Sequence, residues 1–224
     1  MGILWALFLL LPALPGDSLW VRASFHRVYQ ENLNREEAHG TLYVRPGERF
    51  VLEITRPVHQ ILTFRAETLL LYYPEDSVAF KIKSSTRFLP LGTQAVNFDD
   101  QRLRDLGFVF LNRRQQGDTL WTFWAHPEQK VRATVRKVKG QLSKLEMRDD
   151  QNHLLMSLVA REYQQLGDRW AVPRWVKTLE ALPDGFSEEI IRLDSLRLTS
   201  QVPDWVREFR VPPGIPVKVK GWEE

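Results

Sequence analysis

The stretch between Gly40 and Ile82 constrains the fold more than any other part of the chain. It contains four short extended segments separated by turns, and apolar side chains alternate with polar ones through much of it. In one segment Phe50, Leu52 and Ile54 recur at every second position. Because neighbouring residues of a strand point to opposite faces of a sheet, this alternation predicts a sheet with one apolar and one polar face. Such a sheet covers its apolar face with the protein's own core or with a ligand.

Strand-like patterns continue through most of the chain from Val21 onward, whereas residues 31–38 are polar and predict a loop. Residues 98–106 predict a helix, because acidic residues stand near its start and Gly107 follows its end. The proline-punctuated tail predicts an edge segment. About eleven or twelve closely spaced strands with one or two helices indicate a mainly β fold, with a meandering antiparallel sheet that is open or closed into a barrel. The chain has no internal repeat, which favours one domain.

The N-terminal residues are uncharged and strongly apolar, and the run is shorter than the ~20 residues that a membrane-spanning helix needs. Its length fits the core of a secretory signal, although no Lys or Arg precedes it. We therefore expect residues 1–16 to be a signal peptide and residues 17–224 to form a single exported domain. The alternative is a retained N-terminal helix that Pro12 and Pro15 end.

The composition excludes several kinds of chemistry. Cysteine is absent, so disulfides, thiol catalysis and thiolate metal sites are excluded. The net charge of +3 is small beside 31 basic and 28 acidic residues and does not indicate a nucleic-acid partner. The sequence contains neither a Gly-x-Ser-x-Gly nucleophile motif nor a Gly-rich phosphate loop. We therefore predict a protein that is not an enzyme and needs no cofactor.

The five histidines do not have the spacing of a metal site. His39 and His59 could approach each other across strands, but a metal site needs three or four ligands, and the sequence offers no obvious partner set. The Asp99-Asp100 pair fits a helix start, and Asp149-Asp150 fits a hairpin turn. We therefore predict no metal site.

Aromatic residues are the more informative class, since the chain has eight tryptophans. Trp121, Trp124, Trp170 and Trp175 fall in predicted strands. They could line a ligand cavity, because such pockets have largely apolar, aromatic walls, or they could fill an ordinary core. From this region we take Trp121 and Phe123 as candidate ligand contacts.

Several short motifs, in their order and spacing, resemble the LolA/LolB-type periplasmic carriers of outer-membrane lipoproteins. The motifs are Ala23-Ser-Phe-His-Arg-Val, Gly40-Thr-Leu-Tyr-Val-Arg-Pro-Gly-Glu-Arg-Phe, Thr55-Arg-Pro, Glu67-Thr-Leu-Leu-Leu-Tyr-Tyr-Pro and Phe209-Arg-Val-Pro-Pro-Gly-Ile-Pro-Val. The resemblance implies an incomplete, half-open antiparallel β-barrel with helices as a lid. Its concave apolar face would bind the acyl chains of lipoproteins or lipids in transit towards the outer membrane.

The resemblance also assigns residues to the cleft and the lid. The residues that would line the cleft are Leu42, Val44, Phe50, Leu52, Ile54, Leu62 and Phe64. To these we add Leu71, from the apolar run of residues 69–73, and the two aromatic candidates Trp121 and Phe123. The lid candidates are Phe98, Leu103 and Leu106, together with Arg45. Arg45 matches the family's lid-release arginine when the Arg-Pro pairs are aligned, whereas a gapless alignment from Leu42 places Pro46 there.

Three functions follow as hypotheses. The first is a monomeric carrier of acyl chains, with transport partners at the inner and outer membranes. The second is a periplasmic sensor or structural protein that uses the same scaffold to bind a protein partner, because fold does not settle function. The third, an enzyme acting on lipids, lacks a visible nucleophile and base.

Overall fold

The computed structural model describes residues 19–45, 49–65, 68–83, 100–167 and 170–221. These residues contain fourteen strands and two short helices. The strands are β1 (Trp20–Glu31), β2 (Asn34–Arg45), β3 (Arg49–Arg56), β4 (Gln60–Arg65), β5 (Thr68–Tyr73), β6 (Val78–Lys83), β7 (Val109–Gln116), β8 (Thr119–His126), β9 (Val131–Val138), β10 (Gln141–Arg148), β11 (Leu154–Leu166), β12 (Trp170–Leu182), β13 (Gly185–Thr199) and β14 (Val217–Gly221). The helices are α1 (Asp100–Asp105) and α2 (Asp204–Arg207).

All fourteen strands belong to one sheet, in the order β14-β6-β5-β4-β3-β2-β1-β13-β12-β11-β10-β9-β8-β7. Every pairing is antiparallel except that of β14 with β6, which is parallel. Strands β1 and β13 are the two middle strands of this order, and β1 pairs with both β2 and β13. The proline-rich tail ends in β14 at one edge, which confirms the predicted edge segment.

The sheet curls around a single large apolar cluster. That cluster contains Leu71 of β5, near one edge of the sheet, and Trp124 of β8, near the other. Every strand from β5 to β8 in this order contains buried residues although all fourteen strands belong to one sheet, so the sheet curls over its own face. We call the side of the sheet that carries this cluster the inner face, and the opposite side the outer face. The predicted half-open antiparallel barrel is therefore confirmed.

The outer face carries a smaller apolar cluster, which the C-terminal tail covers. Tyr43 of β2 and Val51 of β3 pack there with Val206 of α2. The Trp205 ring meets the Tyr43 ring edge-on, with centroids 6.1 Å apart. Arg49 of β3 donates hydrogen bonds to the carbonyl oxygens of Val206 and Arg207, so a side chain of the sheet fastens the tail.

Helix α1 ends as the sequence predicted. The N–H of Gly107 donates to the carbonyl of Arg104, and the N–H of Phe108 donates to that of Leu103, both at 2.9 Å. This pair of bonds is the Schellman motif, in which the residue after the helix takes a left-handed conformation, and Gly107 has a φ of +86°. The part of the predicted helix before residue 100 lies outside the described residues.

One expectation about the strands was wrong, and one strand was not predicted. The polar residues 31–38 are not a loop, because β2 begins at Asn34 and only Asn32 and Leu33 turn the chain. Asn32 has a φ of +52°, a conformation that Asn tolerates and that tight hairpin turns require. Strand β7 was not predicted, since all eight of its residues are exposed and no alternation marks it.

No helix among the described residues is long and apolar enough to cross a membrane.

Candidate functional site

The inner face brings together most of the predicted ligand-binding residues. Leu42 and Leu52 are fully buried, and Ile54 is 2% exposed. Cross-strand pairing aligns them, because Leu42 lies opposite Leu52 and Leu52 opposite Leu62. The predicted residues that the structure places in this cluster, the last two only partly buried, are Leu42, Val44, Phe50, Leu52, Ile54, Leu62, Phe64 and Leu71. Period-two alternation thus identified one continuous apolar surface, and its ligand-binding role stays a prediction.

Helix α1 contributes to the cover of this surface. Leu103 is completely buried in the inner cluster, and Phe108, just beyond the helix, is buried with it. The guanidinium of Arg104 lies 5.9 Å from the centre of the Trp124 ring. Of the other lid candidates, Leu106 is 38% exposed and lies outside the cluster, and Phe98 is outside the described residues. The helix therefore presents one predicted lid residue to the inner face.

Strand β8 has its aromatic residues on both faces. Thr122, Trp124 and His126 are buried on one side, and Trp124 belongs to the inner cluster. Trp121 and Phe123 occupy the alternate positions, so their side chains leave β8 on the opposite side. The structure therefore does not bring these two predicted ligand residues together with the Leu42 set.

Arg45 is also separated from the inner cluster by alternation. It is the last residue of β2 and pairs with Arg49 of β3. Since Val44 belongs to the inner cluster and Tyr43 to the outer one, Arg45 leaves the strand on the side of Tyr43. The side chain suggested as a lid-release arginine therefore starts from the outer face.

A cavity of about 530 Å³ lies at the β7 edge of the sheet. Its wall includes Leu111 of β7, Phe123 and Trp124 of β8, and Ala133 of β9. The volume falls in the range of ordinary small-molecule pockets, about 300–1,000 Å³. Trp124 and Ala133 also belong to the inner cluster, whereas the Phe123 side chain leaves β8 on the opposite side, so the cavity wall draws on residues of both parities.

The inner face also contains charged groups that the sequence reasoning missed. Arg27 of β1 and Glu189 of β13 are both buried, and their side chains form an ion pair. The Arg27 guanidinium lies 5.0 Å from the centre of the Tyr29 ring, while the Tyr29 hydroxyl donates to Glu31 at 2.6 Å. Burial and this bond to the Glu31 carboxylate raise the pKa of Tyr29 to about 12. One end of the inner face is therefore polar. The sequence signal that could have revealed this pair is the opposite charge of two residues at inward positions of β1 and β13.

The histidines are arranged differently from the sequence expectation. His39 of β2 lies directly opposite His26 of β1, and the two rings stack. His59 instead lies beside Glu53, with 3.5 Å between Nε2 and Oε1. The polar residues 31–38 predict a loop, so the sequence does not reveal the β1–β2 hairpin that pairs His39 with His26.

Comparison with known proteins identifies the architecture. No family model and no curated protein matches this chain. Solved structures do match it: a LolA superfamily protein from Nitrosomonas europaea, at 16% identity and a TM-score of 0.54, covers 86% of this chain and 90% of its own. A DUF1329 family protein from Desulfovibrio piger, at 14% identity and a TM-score of 0.55, covers 85% and 90%.

A third structure, a Vibrio parahaemolyticus domain described as an outer membrane lipoprotein-sorting protein, has 14% identity and a TM-score of 0.56 and covers 84% of this chain and 88% of its own. All three matches extend over most of both chains, so they concern the whole curled sheet and not one hairpin. At these identities they establish the architecture. The chain therefore has the LolA-like fold that its sequence motifs resemble.

Proposed function

We propose that this protein is an exported, non-enzymatic carrier that binds the acyl chains of lipoproteins or lipids on its inner face, for transfer towards the outer membrane. The observation that carries the proposal is the continuous apolar surface from β2 to β5, which includes Leu42, Leu52 and Leu62. The LolA-like fold supports it, as does the Vibrio parahaemolyticus match described as a lipoprotein-sorting protein.

Binding would require the cover of the inner face to move, because Leu103 of α1 and Phe108 are buried in the same cluster. Removing a buried leucine from a core costs about 2–5 kcal/mol. Burying acyl chain gains about 0.8 kcal/mol per CH₂, so ten methylenes offer about 8 kcal/mol. An acyl chain can therefore replace the packing of Leu103, and the cost of opening keeps the affinity low enough for release.

The experiment is uptake of a fluorescent fatty acid by delipidated protein, with Phe64→Glu as the test variant. Phe64 is partly buried against the inner cluster, so the carboxylate would face the acyl chain. The matched control is Phe186→Glu, which places the same charge on a side chain that is 50% exposed. We expect Phe64→Glu to lose uptake and Phe186→Glu to keep it, with both variants folded by circular dichroism. Equal uptake by the two variants, or no uptake by the wild-type protein, would overturn the proposal.

A second variant tests the role of α1. Leu103→Ala weakens the cover without placing a charge in the cleft, so we expect faster uptake and a lower unfolding temperature. Slower uptake would mean that Leu103 forms part of the binding surface rather than its cover. Because the two directions are opposite, a stopped-flow measurement of the uptake rate distinguishes them.

A protein-binding role is the second candidate, and strand β7 is the observation that favours it. All eight residues of this terminal strand are exposed, including Val109, Phe110 and Leu111. Edge strands with exposed apolar side chains can add an extended segment of another protein. Replacing Leu111 with Lys would then abolish capture of a partner peptide and leave fatty-acid uptake unchanged.

Export and domain organisation belong to the same proposal. A carrier between two membranes must be secreted, and we propose that residues 1–16 are the signal and residues 17–224 the mature domain. The mass of the protein isolated from its native host tests this directly. A mass that includes residues 1–16 would instead favour the retained N-terminal helix.

A further inference from the structure

Three side chains with metal-binding atoms lie together on the outer face of the β1–β2 hairpin. His26 of β1 and His39 of β2 are direct cross-strand partners. Glu37 stands two residues before His39, and residues two apart on a strand share a face. The hairpin register therefore places two imidazoles and one carboxylate side by side, although His26 and His39 are far apart in the sequence.

Their geometry is close to that of a coordination site. The imidazole rings of His26 and His39 stack with centroids 4.3 Å apart and planes within 4°. Nε2 of His26 lies 3.6 Å from Oε2 of Glu37, and one ligand atom from each of the three residues lies within 4.8 Å of the other two. Ligand atoms about 2.0–2.1 Å from a tetrahedral Zn²⁺ are separated by roughly 3.4 Å. Small side-chain rotations would therefore close the three ligands around an ion.

The hydrogen bonds around the cluster leave two ligand atoms available to a metal ion. Nη2 of Arg35 binds Oε1 of Glu37 at 2.6 Å, and it is the other oxygen, Oε2, that faces His26. This bond to Arg35 holds the pKa of Glu37 below its ordinary value, so the side chain is a carboxylate. Nε2 of His26 is shielded from solvent, and it has no hydrogen-bond partner among the residues that the structure describes. Shielded polar atoms normally have a partner, and an ion held with Glu37 would supply one.

The surrounding charge limits the affinity of such a site. Arg192 of β13 is the other cross-strand neighbour of His26, and Arg56 of β3 is that of His39. Together with Arg35, these arginines would repel a bound metal cation at close range. The site therefore needs a metal for which imidazole is a strong ligand, which favours zinc, copper or nickel over calcium or magnesium.

We propose that His26, Glu37 and His39 form a binding site for a divalent transition-metal ion of the zinc class. Two imidazoles and a carboxylate supply three ligands, and the fourth position stays open to water or to a donor from another molecule. The site lies on the face opposite the inner apolar cluster, so it is independent of acyl-chain binding. Its ligands join the two strands of one hairpin, and the ion would therefore also stabilise the β1–β2 pairing.

The test is calorimetric titration of ZnCl₂ into tag-free, EDTA-treated full-length protein. We expect one equivalent to bind, and His26→Gln, His39→Gln and Glu37→Gln each to weaken binding at least tenfold. The matched control is His59→Gln, because His59 also lies beside a glutamate, Glu53, on the outer face but belongs to no three-ligand group among the described residues. This variant should bind zinc as the wild-type protein does.

Two further readouts make the result decisive. Co²⁺ in place of Zn²⁺ should give the intense visible absorption of a four-coordinate site in the wild-type protein and lose it in His39→Gln. Saturating Zn²⁺ should raise the unfolding temperature of the wild-type protein and of His59→Gln, but not of Glu37→Gln. Because Glu37→Gln keeps both imidazoles, it tests the site even if the histidine variants fail to fold. Wild-type protein that does not bind one equivalent, or a His26→Gln/His39→Gln double variant that binds as tightly as the wild type, would overturn the proposal.

Discussion

The guanidinium of Arg27 and the carboxylate of Glu189 form a buried ion pair that joins the two central strands of the sheet, β1 and β13. Their residues are 3% and 8% exposed. Alternation places both on the inner face, since Phe25 and Ile191, each two residues away along the same strand, belong to the inner cluster. The pair therefore stands at the polar end of a surface that is otherwise apolar.

Removing one member of this pair should destabilise the protein strongly. Breaking a buried ion pair from one side costs about 3–5 kcal/mol, because the remaining charge loses its counterion in a shielded place. We expect a loss of that size in the free energy of unfolding for Arg27→Met and for Glu189→Gln, measured by urea denaturation. The double variant Arg27→Met/Glu189→Leu should recover at least half of it.

A second ion pair offers a control on neighbouring strands. Nζ of Lys177 lies 2.6 Å from Glu188, but both side chains are 35% exposed. Exposed pairs contribute about 0–1 kcal/mol, so Lys177→Met should change stability little. If Arg27→Met costs no more than Lys177→Met, burial does not govern the Arg27–Glu189 pair.

Gly107 should resist substitution more than Gly117, although both have a positive φ. Gly107 has a φ of +86°, and an added Cβ would lie 2.8 Å from Nε2 of His126. That ring has little room to move, because Phe108 packs edge-on against it and the N–H of Gln129 donates to its Nδ1. Gly117 has a φ of +55° in the β7–β8 turn, and no described residue comes within 4 Å of an added Cβ.

We expect Gly117→Ala to cost about 1 kcal/mol from backbone strain, and Gly107→Ala about 2–3 kcal/mol from strain and the contact together. Thermal unfolding of the two variants measures the difference. Equal losses would show that His126 yields freely and that only the left-handed backbone matters. A larger loss at Gly107 would confirm that the end of α1 is packed tightly against β8.

The sequence predicted the inner face best in strands whose apolar residues occupy only every second position. Phe50, Leu52 and Ile54 all point inward, with polar or outer-cluster residues between them. At β8 the same reasoning could not choose a face, because Trp121 and Phe123 are as apolar as Trp124. Burial at such a strand is decided by which side the curled sheet closes over, and alternation within one strand does not contain that information.

Pairing between strands was predictable only where the turn was recognised. From Val21 to Glu31, each residue of β1 pairs with the residue of β2 equally far from the Asn32–Leu33 turn, and this rule brings His26 to His39. Because the polar side chains in the first half of β2 predict a loop, the Asn32–Leu33 turn was not recognised. Without the position of the turn, the pairing of β1 with β2 could not be predicted. The β10–β11 hairpin was predicted, since Asp149-Asp150 fits a hairpin turn, and Asn152 in the same connection has a φ of +69°.

The C-terminal tail should detach locally when its anchor is removed. Helix α2 has only four residues and no side-chain cap at its start, so it depends on packing and on the two carbonyl bonds from Arg49. For Arg49→Met we expect hydrogen-exchange protection of the Val206 amide to fall roughly tenfold, which corresponds to about 1.4 kcal/mol of local opening. Amides of β1 should keep their protection. The exposed Arg56, replaced by Met, is the control, and equal protection in the two variants would contradict the anchoring role.

Tyr163 should make the protein lose stability in alkali. Its hydroxyl donates to the carbonyl of Leu142 at 2.6 Å, and burial raises the pKa of the phenol above its ordinary value near 10. The unfolded chain therefore releases this proton at a lower pH than the folded protein does. The stabilising contribution is complete below about pH 10 and is lost as the pH rises from there through the folded pKa.

Tyr163→Phe lacks the ionisable group and the hydrogen bond, so we expect it to be about 1 kcal/mol less stable near pH 7 but to decline less steeply between about pH 9 and 11. Urea midpoints of the two proteins across that range measure the slopes, and parallel slopes would mean that Tyr163 ionises as easily in the folded protein as in the unfolded chain.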